Sequence, residues 1–249
     1  IFKLLTKLME RFIFDVDGTL TPSRQTIDSD FAVFFKNFCR ENHVYLITGS
    51  DKQKTIEQVG EQIYNLAKRV YNCSGSDVWE KNQNIRRDNW IIPQRASEFL
   101  QSCLKESEFN EKTGNHLEQR ACMLNFSVVG RKCTLKQRAK YREWDIANKE
   151  RETISKKFNK LFTELEATVG GETGIDIAPK GANKSQIIKD FDQNDTLHFF
   201  GDAMNTHGND YPLKQVIIDQ ARGSCYAVSN WKDTKNILYE RTLGRKISS

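Results

Sequence analysis

The run Phe12-Ile13-Phe14-Asp15-Val16-Asp17-Gly18-Thr19 constrains this chain more than any other segment. A short, continuous apolar stretch reads as a buried β-strand, and this one ends in carboxylates beside a glycine that permits a tight turn. The sequence that follows keeps an alternating rhythm. Residues 29–42 carry Phe31, Phe34, Phe35 and Phe38 at helical spacing, with those aromatics expected in the core. Val44 to Ile47 is a second buried strand, ending at Thr48-Gly49-Ser50, and residues 52–68 are expected to be helical. After Lys184 the rhythm returns, with strands at 196–200 and 224–228 and a closing helix at 231–240. Strands alternating with helices imply a parallel sheet, whose ligands bind at the strand C-termini.

The middle of the chain reads differently. Longer polar helical stretches at 96–107 and 137–165 are grouped with strand-like pieces at 123–129 and 168–177, which suggests a separate α+β unit. The expected organisation is α/β. Residues 1–80 and 180–249 form a Rossmann-like parallel-sheet core, interrupted by an inserted α+β cap domain at 81–179.

A chain of 249 residues, 38% hydrophobic and 10% aromatic, can build cores of this kind. Its net charge of +5 suits anionic metabolites. No basic run is interleaved with aromatics, so a nucleic-acid groove is not expected. Cys39, Cys73, Cys103, Cys122, Cys133 and Cys225 are scattered, without CxxC pairs. That pattern points to reduced thiols in a cytoplasmic setting rather than zinc or a disulfide framework. No apolar run reaches the length of a membrane span, and residues 1–11 are expected to lead into the first strand.

The chemistry gathers at Asp15 and Asp17. A spacing of two places both side chains on one face of an extended segment. Two carboxylates at that range repel unless a cation or proton intervenes, and Mg²⁺ favours a few carboxylates with phosphate oxygens and water. One carboxylate can attack phosphorus while the other gives and takes the hydroxyl proton.

The run from Asp15 to Thr21 resembles the first motif of the haloacid dehalogenase superfamily. The resemblance implies Asp15 as nucleophile, Asp17 as acid/base, and Thr48 as the hydroxyl that bonds the transferring phosphoryl group, with Ser50 a neighbouring candidate. It implies Lys184 as the charge-balancing lysine, and a Mg²⁺ site formed by Asp15, Asp17, Asp202 and Asp210.

The stretch from Arg120 to Arg131, then Arg138 and Tyr141-Arg142-Glu143-Trp144-Asp145, resembles the cap of eukaryotic-type phosphomannomutases. By that resemblance Arg120, Arg131 and Arg138 bind the phosphate at the far end of a sugar phosphate, Asp176 contacts sugar hydroxyls, and Asn125 and Gly174 lie near the substrate. A hexose bisphosphate activator and a homodimer formed through the cap are further implications. Three departures are visible. Gly174 stands where a serine is expected, the segment from Asn72 to Ser76 lacks Pro-Glu-Asn-Gly, and the segment from Pro179 to Ser185 lacks a tryptophan. The last is closer to sugar-phosphate phosphatases. The expected activity is therefore a hexose-phosphate mutase, with a Mg²⁺-dependent sugar-phosphate phosphatase as the alternative. A non-catalytic binding module is disfavoured, because no reaction-core residue is missing.

Overall fold

The computed structural model describes residues 9–120, 122–206 and 208–247, so residues 1–8 of the expected lead-in lie outside it. The chain runs through β1 (Glu10–Phe14), α1 (Ser29–Glu41), β2 (His43–Ile47), α2 (Lys52–Val59), α3 (Glu61–Leu66), β3 (Arg69–Asn72), β4 (Asp77–Glu80) and β5 (Gln83–Arg87). Next come α4 (Gln94–Glu106), β6 (Leu117–Gln119), β7 (Leu124–Phe126), α5 (Leu135–Asn148), α6 (Glu150–Leu161), β8 (Leu165–Gly170) and β9 (Gly174–Pro179). Then β10 (Thr196–Gly201), α7 (Tyr211–Asp219), β11 (Gly223–Ala227) and α8 (Trp231–Ile247) follow. Two compact units result, Ile1–Arg87 with Ala182–Ser249, and Asp88–Gly181.

The first unit is built on a seven-stranded sheet in the order β11-β10-β1-β2-β3-β4-β5. The strands from β11 to β3 pair in parallel, and β4 and β5 add an antiparallel hairpin at the edge. Successive strand residues face opposite sides, and β1 is apolar on both. Phe12 and Phe14 join a cluster with Phe31, Phe35 and Phe38, while Ile13 joins Tyr71, Phe199 and Leu213 in another. Burial on both faces is the condition of a central parallel strand. On α1 the spaced aromatics turn inward, and Asp28 caps its N-terminus by accepting from the Asp30 and Phe31 amides.

Two expected helices are broken, one in each unit. The stretch 52–68 divides into α2 and α3 because Gly60 adopts φ +81°, outside the helical region. The expected boundary between 80 and 81 falls in the turn of the β4–β5 hairpin. Its two loop residues, Lys81 and Asn82, both have positive φ, the geometry that matches strand twist.

The second unit packs α4, α5 and α6 on an antiparallel sheet in the order β6-β7-β9-β8. The expected helix at 137–165 splits at Lys149, where φ is +53°. Arg151 then turns inward to bond Asp145 at 2.8 Å and the Gly171 carbonyl at 3.0 Å. Leu124, Phe126, Ile175 and Ile177 face the core. By alternation Asn125 and Asp176, paired across β7 and β9, occupy the opposite face.

Candidate active site

Asp15 follows β1 immediately, Thr48 follows β2, and Asp202 follows β10. These three strands are adjacent and parallel, so their C-terminal ends deliver all three residues to one edge of the sheet. The Asp15 amide donates to the Phe200 carbonyl at 2.9 Å, extending the β1–β10 ladder by one step. Its carboxylate therefore sits on rigid backbone and is 3% exposed.

Lys184 opens the 3-10 turn Lys184–Asp190 and is completely buried. Its ammonium donates to Asp15 Oδ1 at 2.5 Å and to Asp210 Oδ1 at 2.7 Å. Burial alone would lower its pKa, but the Asp15 and Asp210 carboxylates outweigh that and hold it above the usual lysine value. Asp15 is shifted in the other direction from a normal carboxylate. Burial is the main cause, opposed by Lys184 and reinforced by Asp210, and together they raise its pKa to about 7.

Asp15, Asp202 and Asp210 form an acidic cluster whose candidate ligand atoms all lie within 4.8 Å of one another. Two glycines allow this approach. A Cβ on Gly18 would lie 2.2 Å from Asp202 Oδ2, and one on Gly201 would lie 2.5 Å from Asp210 Oδ2. Asp202 is the solvent-facing member, yet its carboxyl packs on the Gly18 turn. Loss of hydration and the nearby Asp210 raise its pKa. The donor set is all oxygen and anionic, which fits a hard divalent cation such as Mg²⁺.

The Asp17 side chain is not one of the three carboxylates of that cluster. Its Oδ1 instead accepts from the Arg24 amide at 2.7 Å and from Gln58 Nε2 at 2.9 Å. Sequence reasoning missed both partners. The Thr48-Gly49-Ser50 turn is fixed by backbone bonds. Thr48 donates to the Tyr71 carbonyl, Ser74 donates to the Thr48 carbonyl at 2.8 Å, and Cys73 donates to the Ser50 carbonyl at 2.9 Å. Thr48 Oγ1 accepts from the Ser50 amide at 3.1 Å.

The segment from Cys73 to Gly75, which lacks Pro-Glu-Asn-Gly, has three consecutive positive φ values of 49°, 56° and 101°. Gln186 of the Lys184 turn donates to the Ser74 carbonyl at 2.8 Å. The strained segment thus ties the Thr48 turn to the Lys184 turn.

In the second unit the substrate-binding candidates fall into three groups. Arg120 and Arg131 come together on Glu118, at 2.6 and 3.1 Å. Arg138 pairs instead with Glu172 at 3.2 Å, a carboxylate it shares with Arg142 at 3.5 Å. Asn125 Nδ2 donates to Asp176 Oδ1 at 2.6 Å, and both lie in register with Glu118 across the sheet. Gly174 is buried beside them. A Cβ there would meet Asn125 Nδ2 at 2.6 Å, so a serine cannot occupy this backbone unless Asn125 moves.

Solved structures share this fold. A haloacid dehalogenase-like hydrolase from Bacteroides thetaiotaomicron matches with a TM-score of 0.63 and 12% identity, over 94% of this chain and 99% of that one. A trehalose-6-phosphate phosphatase related protein matches with a TM-score of 0.53 and 14% identity, over 95% and 99%. An aspartate at the end of β1, a buried lysine against it and an acidic cluster beside them form, on this fold, an arrangement suited to metal-assisted phosphoryl transfer.

Sequence comparison narrows the class. The Drosophila melanogaster phosphomannomutase is 30% identical over 92% of this chain and 93% of its own length. Human phosphomannomutase 1 is 30% identical over 81% of each. The model of the eukaryotic phosphomannomutase family matches residues 31–243, and the chain belongs to that family.

Proposed function

We propose that this enzyme interconverts mannose 6-phosphate and mannose 1-phosphate through an aspartyl-phosphate on Asp15. The observation that carries this reading is the buried contact of Lys184 with Asp15, in a chain of the phosphomannomutase family. Lys184 holds positive charge against the attacking oxygen, and Thr48 offers its hydroxyl to the phosphoryl group at the end of the neighbouring strand. Asp17 protonates the leaving oxygen in the first half-reaction and takes a hydroxyl proton in the second. Asp15, Asp202 and Asp210 would hold Mg²⁺, which when bound neutralises charge on the phosphoryl oxygens.

A mutase must present either end of a hexose bisphosphate to Asp15, so it needs a clamp for the second phosphate. Arg120, Arg131 and Arg138 serve as that clamp in this reading, since guanidinium forks match phosphate oxygens. Asn125 and Asp176 read the sugar hydroxyls, and the unit Asp88–Gly181 acts as the cap. Ser50, whose amide donates to Thr48 Oγ1, is the neighbouring hydroxyl candidate. A hexose bisphosphate primes Asp15 as activator, and by family resemblance the cap also forms a homodimer. The free thiols of Cys39, Cys103, Cys133 and Cys225 support a reducing, cytoplasmic setting. Among the described residues no helix is long and apolar enough to cross a membrane.

One observation favours the phosphatase as a second reading. Gly174 contributes no hydroxyl, and the space a serine would need is taken by Asn125. The deciding experiment combines the protein with Mg²⁺, mannose 1-phosphate and a catalytic amount of hexose bisphosphate. Isomerised sugar phosphate without phosphate release is the expected result. Stoichiometric free phosphate would replace the mutase with the hydrolase.

A further inference from the structure

Gln58 is a glutamine on a helix, and its sequence alone reads as a solvated side chain. In the fold it is 3% exposed. Its Nε2 donates to Asp17 Oδ1 at 2.9 Å and to Thr21 Oγ1 at 3.3 Å. The orientation of the amide is settled by its partners. A carboxylate oxygen only accepts, so nitrogen faces Asp17, and Thr21 Oγ1 donates onward to the Val16 carbonyl. Both N–H bonds of the amide are thereby used. The Gln58 backbone is fixed as well, because its carbonyl accepts from the Ile27 amide at 2.8 Å. Its Oε1, by contrast, is buried with no hydrogen-bond partner. An unsatisfied buried carbonyl carries a cost, and the side chain keeps this orientation while making both bonds on the nitrogen side.

The second donor to Asp17 is the Arg24 amide, and it reaches the same oxygen, Oδ1, at 2.7 Å. Arg24 has φ +59°, a strained conformation for a non-glycine residue that turns its N–H toward the carboxylate. Two fixed N–H groups therefore occupy Oδ1. Both donors converge on Oδ1, and Oδ2 is the oxygen that neither of them reaches.

We infer that Gln58 is a positioning residue that, with the Arg24 amide, makes Asp17 Oδ2 the single atom through which protons pass. The inference deepens the proposed phosphoryl-transfer reading and rests on it. In the first half-reaction Asp15 forms a bond to phosphorus, the bond from phosphorus to the leaving oxygen breaks, and the proton on Oδ2 moves to that oxygen. In the second, a substrate hydroxyl bonds phosphorus, its proton moves to Oδ2, and the bond from phosphorus to Asp15 breaks. With Oδ1 held, Asp17 cannot rotate to offer the other oxygen between the two steps. The same atom serves as acid and then as base.

A leaving group that departs as a stable anion does not need that proton, which separates this role from a general effect on the fold. Gln58→Met keeps the length and apolar stem while removing both N–H donors, and Gln58→Glu removes them while keeping the shape. Phosphoryl transfer to the Mg²⁺-loaded enzyme is measured from hexose 1,6-bisphosphate, which loses an alkoxide, and from p-nitrophenyl phosphate, which loses a stable phenolate. General acid catalysis contributes about 100- to 10,000-fold. Mispositioning the acid is expected to cost kcat roughly 10- to 100-fold with the bisphosphate, at little change in KM. With the aryl phosphate both variants should stay within about threefold of the native rate.

Equal losses on both substrates would overturn the inference, because Gln58 would then act on Asp15 or on the fold. Native rates on both would overturn it too, leaving Gln58 as filler. If the native protein forms no aspartyl-phosphate from either donor, the phosphoryl-transfer reading itself fails and the inference falls with it. A loss confined to the bisphosphate, in variants whose thermal unfolding stays cooperative, supports it.

Discussion

Replacing Lys184 with methionine tests the centre of the site. The ammonium is fully buried and touches Asp15 and Asp210, so the substitution removes the one cation that both carboxyl groups share. At 2.7 Å and an effective dielectric of about 20, one such contact is worth roughly 6 kcal/mol before desolvation is charged against it. Breaking a buried pair from one side typically costs about 3–5 kcal/mol. For a chain of this size that corresponds to a fall in melting temperature of roughly 6–20 °C.

The pH dependence has a defined sign. The folded pKa of Asp15 is raised to about 7, so the group stabilises the fold in acid and loses that contribution as pH rises toward 7. Removing Lys184 removes the attraction that opposes this rise and moves the folded pKa higher still. Below about pH 7 both proteins hold the Asp15 proton and the stability gap is smallest. Above it, the native protein has released the proton and the variant has not, so the gap widens by about 1.4 kcal/mol per pH unit. Thermal unfolding of metal-free native and Lys184→Met proteins at about pH 6 and about pH 8.5 measures both effects. A variant that melts with the native protein at both values, or a gap that narrows with rising pH, would refute the reasoning.

Other expectations follow from the same geometry. Metal binding must displace the proton from Asp15, so the rise in melting temperature on adding Mg²⁺ should be larger at about pH 8 than at about pH 5.5, and an increment independent of pH would count against Asp15 as a ligand. Gly75→Ala puts a Cβ 2.7 Å from Ile187 Cγ2 at φ +101° and should cost about 1–3 kcal/mol in chemical denaturation, with a fall in kcat as the Thr48 and Lys184 turns lose their tie. Arg138→Ala should raise KM for a hexose bisphosphate at least about tenfold while leaving p-nitrophenyl phosphate nearly unchanged, since steady-state kinetics on a small monophosphate do not use the distal clamp.

Much of the first unit was legible because its strands are apolar on both faces. Phe12-Ile13-Phe14 and the stretch 196–200 announce central strands without help from tertiary context. The hairpin β4–β5 was not, since Gln83, Asn84, Arg86 and Arg87 are polar and pair only by joining an edge already formed. The helix breaks at Gly60 and Lys149 illustrate two levels of legibility. A glycine is a visible warning, whereas a lysine in left-handed conformation gives none.

In the site, Asp15, Lys184 and Asp202 were readable from motif order. For Asp17, spacing places the side chain on a face but does not say that the Arg24 amide and Gln58 wait there. Gln58 left no trace at all. Its signal is burial, and a helix with few apolar residues does not reveal which polar side chain it will turn inward. The arginines were found as residue types, but their division between Glu118 and Glu172 depends on strand register.

The strand order has a consequence for how the protein is made. β1 is synthesised before the other described strands, yet one of its two partners, β10, lies beyond the whole inserted unit. While the intervening chain emerges from the ribosome, one edge of that apolar strand has no native neighbour, and unpaired apolar edges invite pairing with other chains. Nascent chains truncated before β10 should therefore be bound by chaperones, and release should coincide with the arrival of Thr196–Gly201.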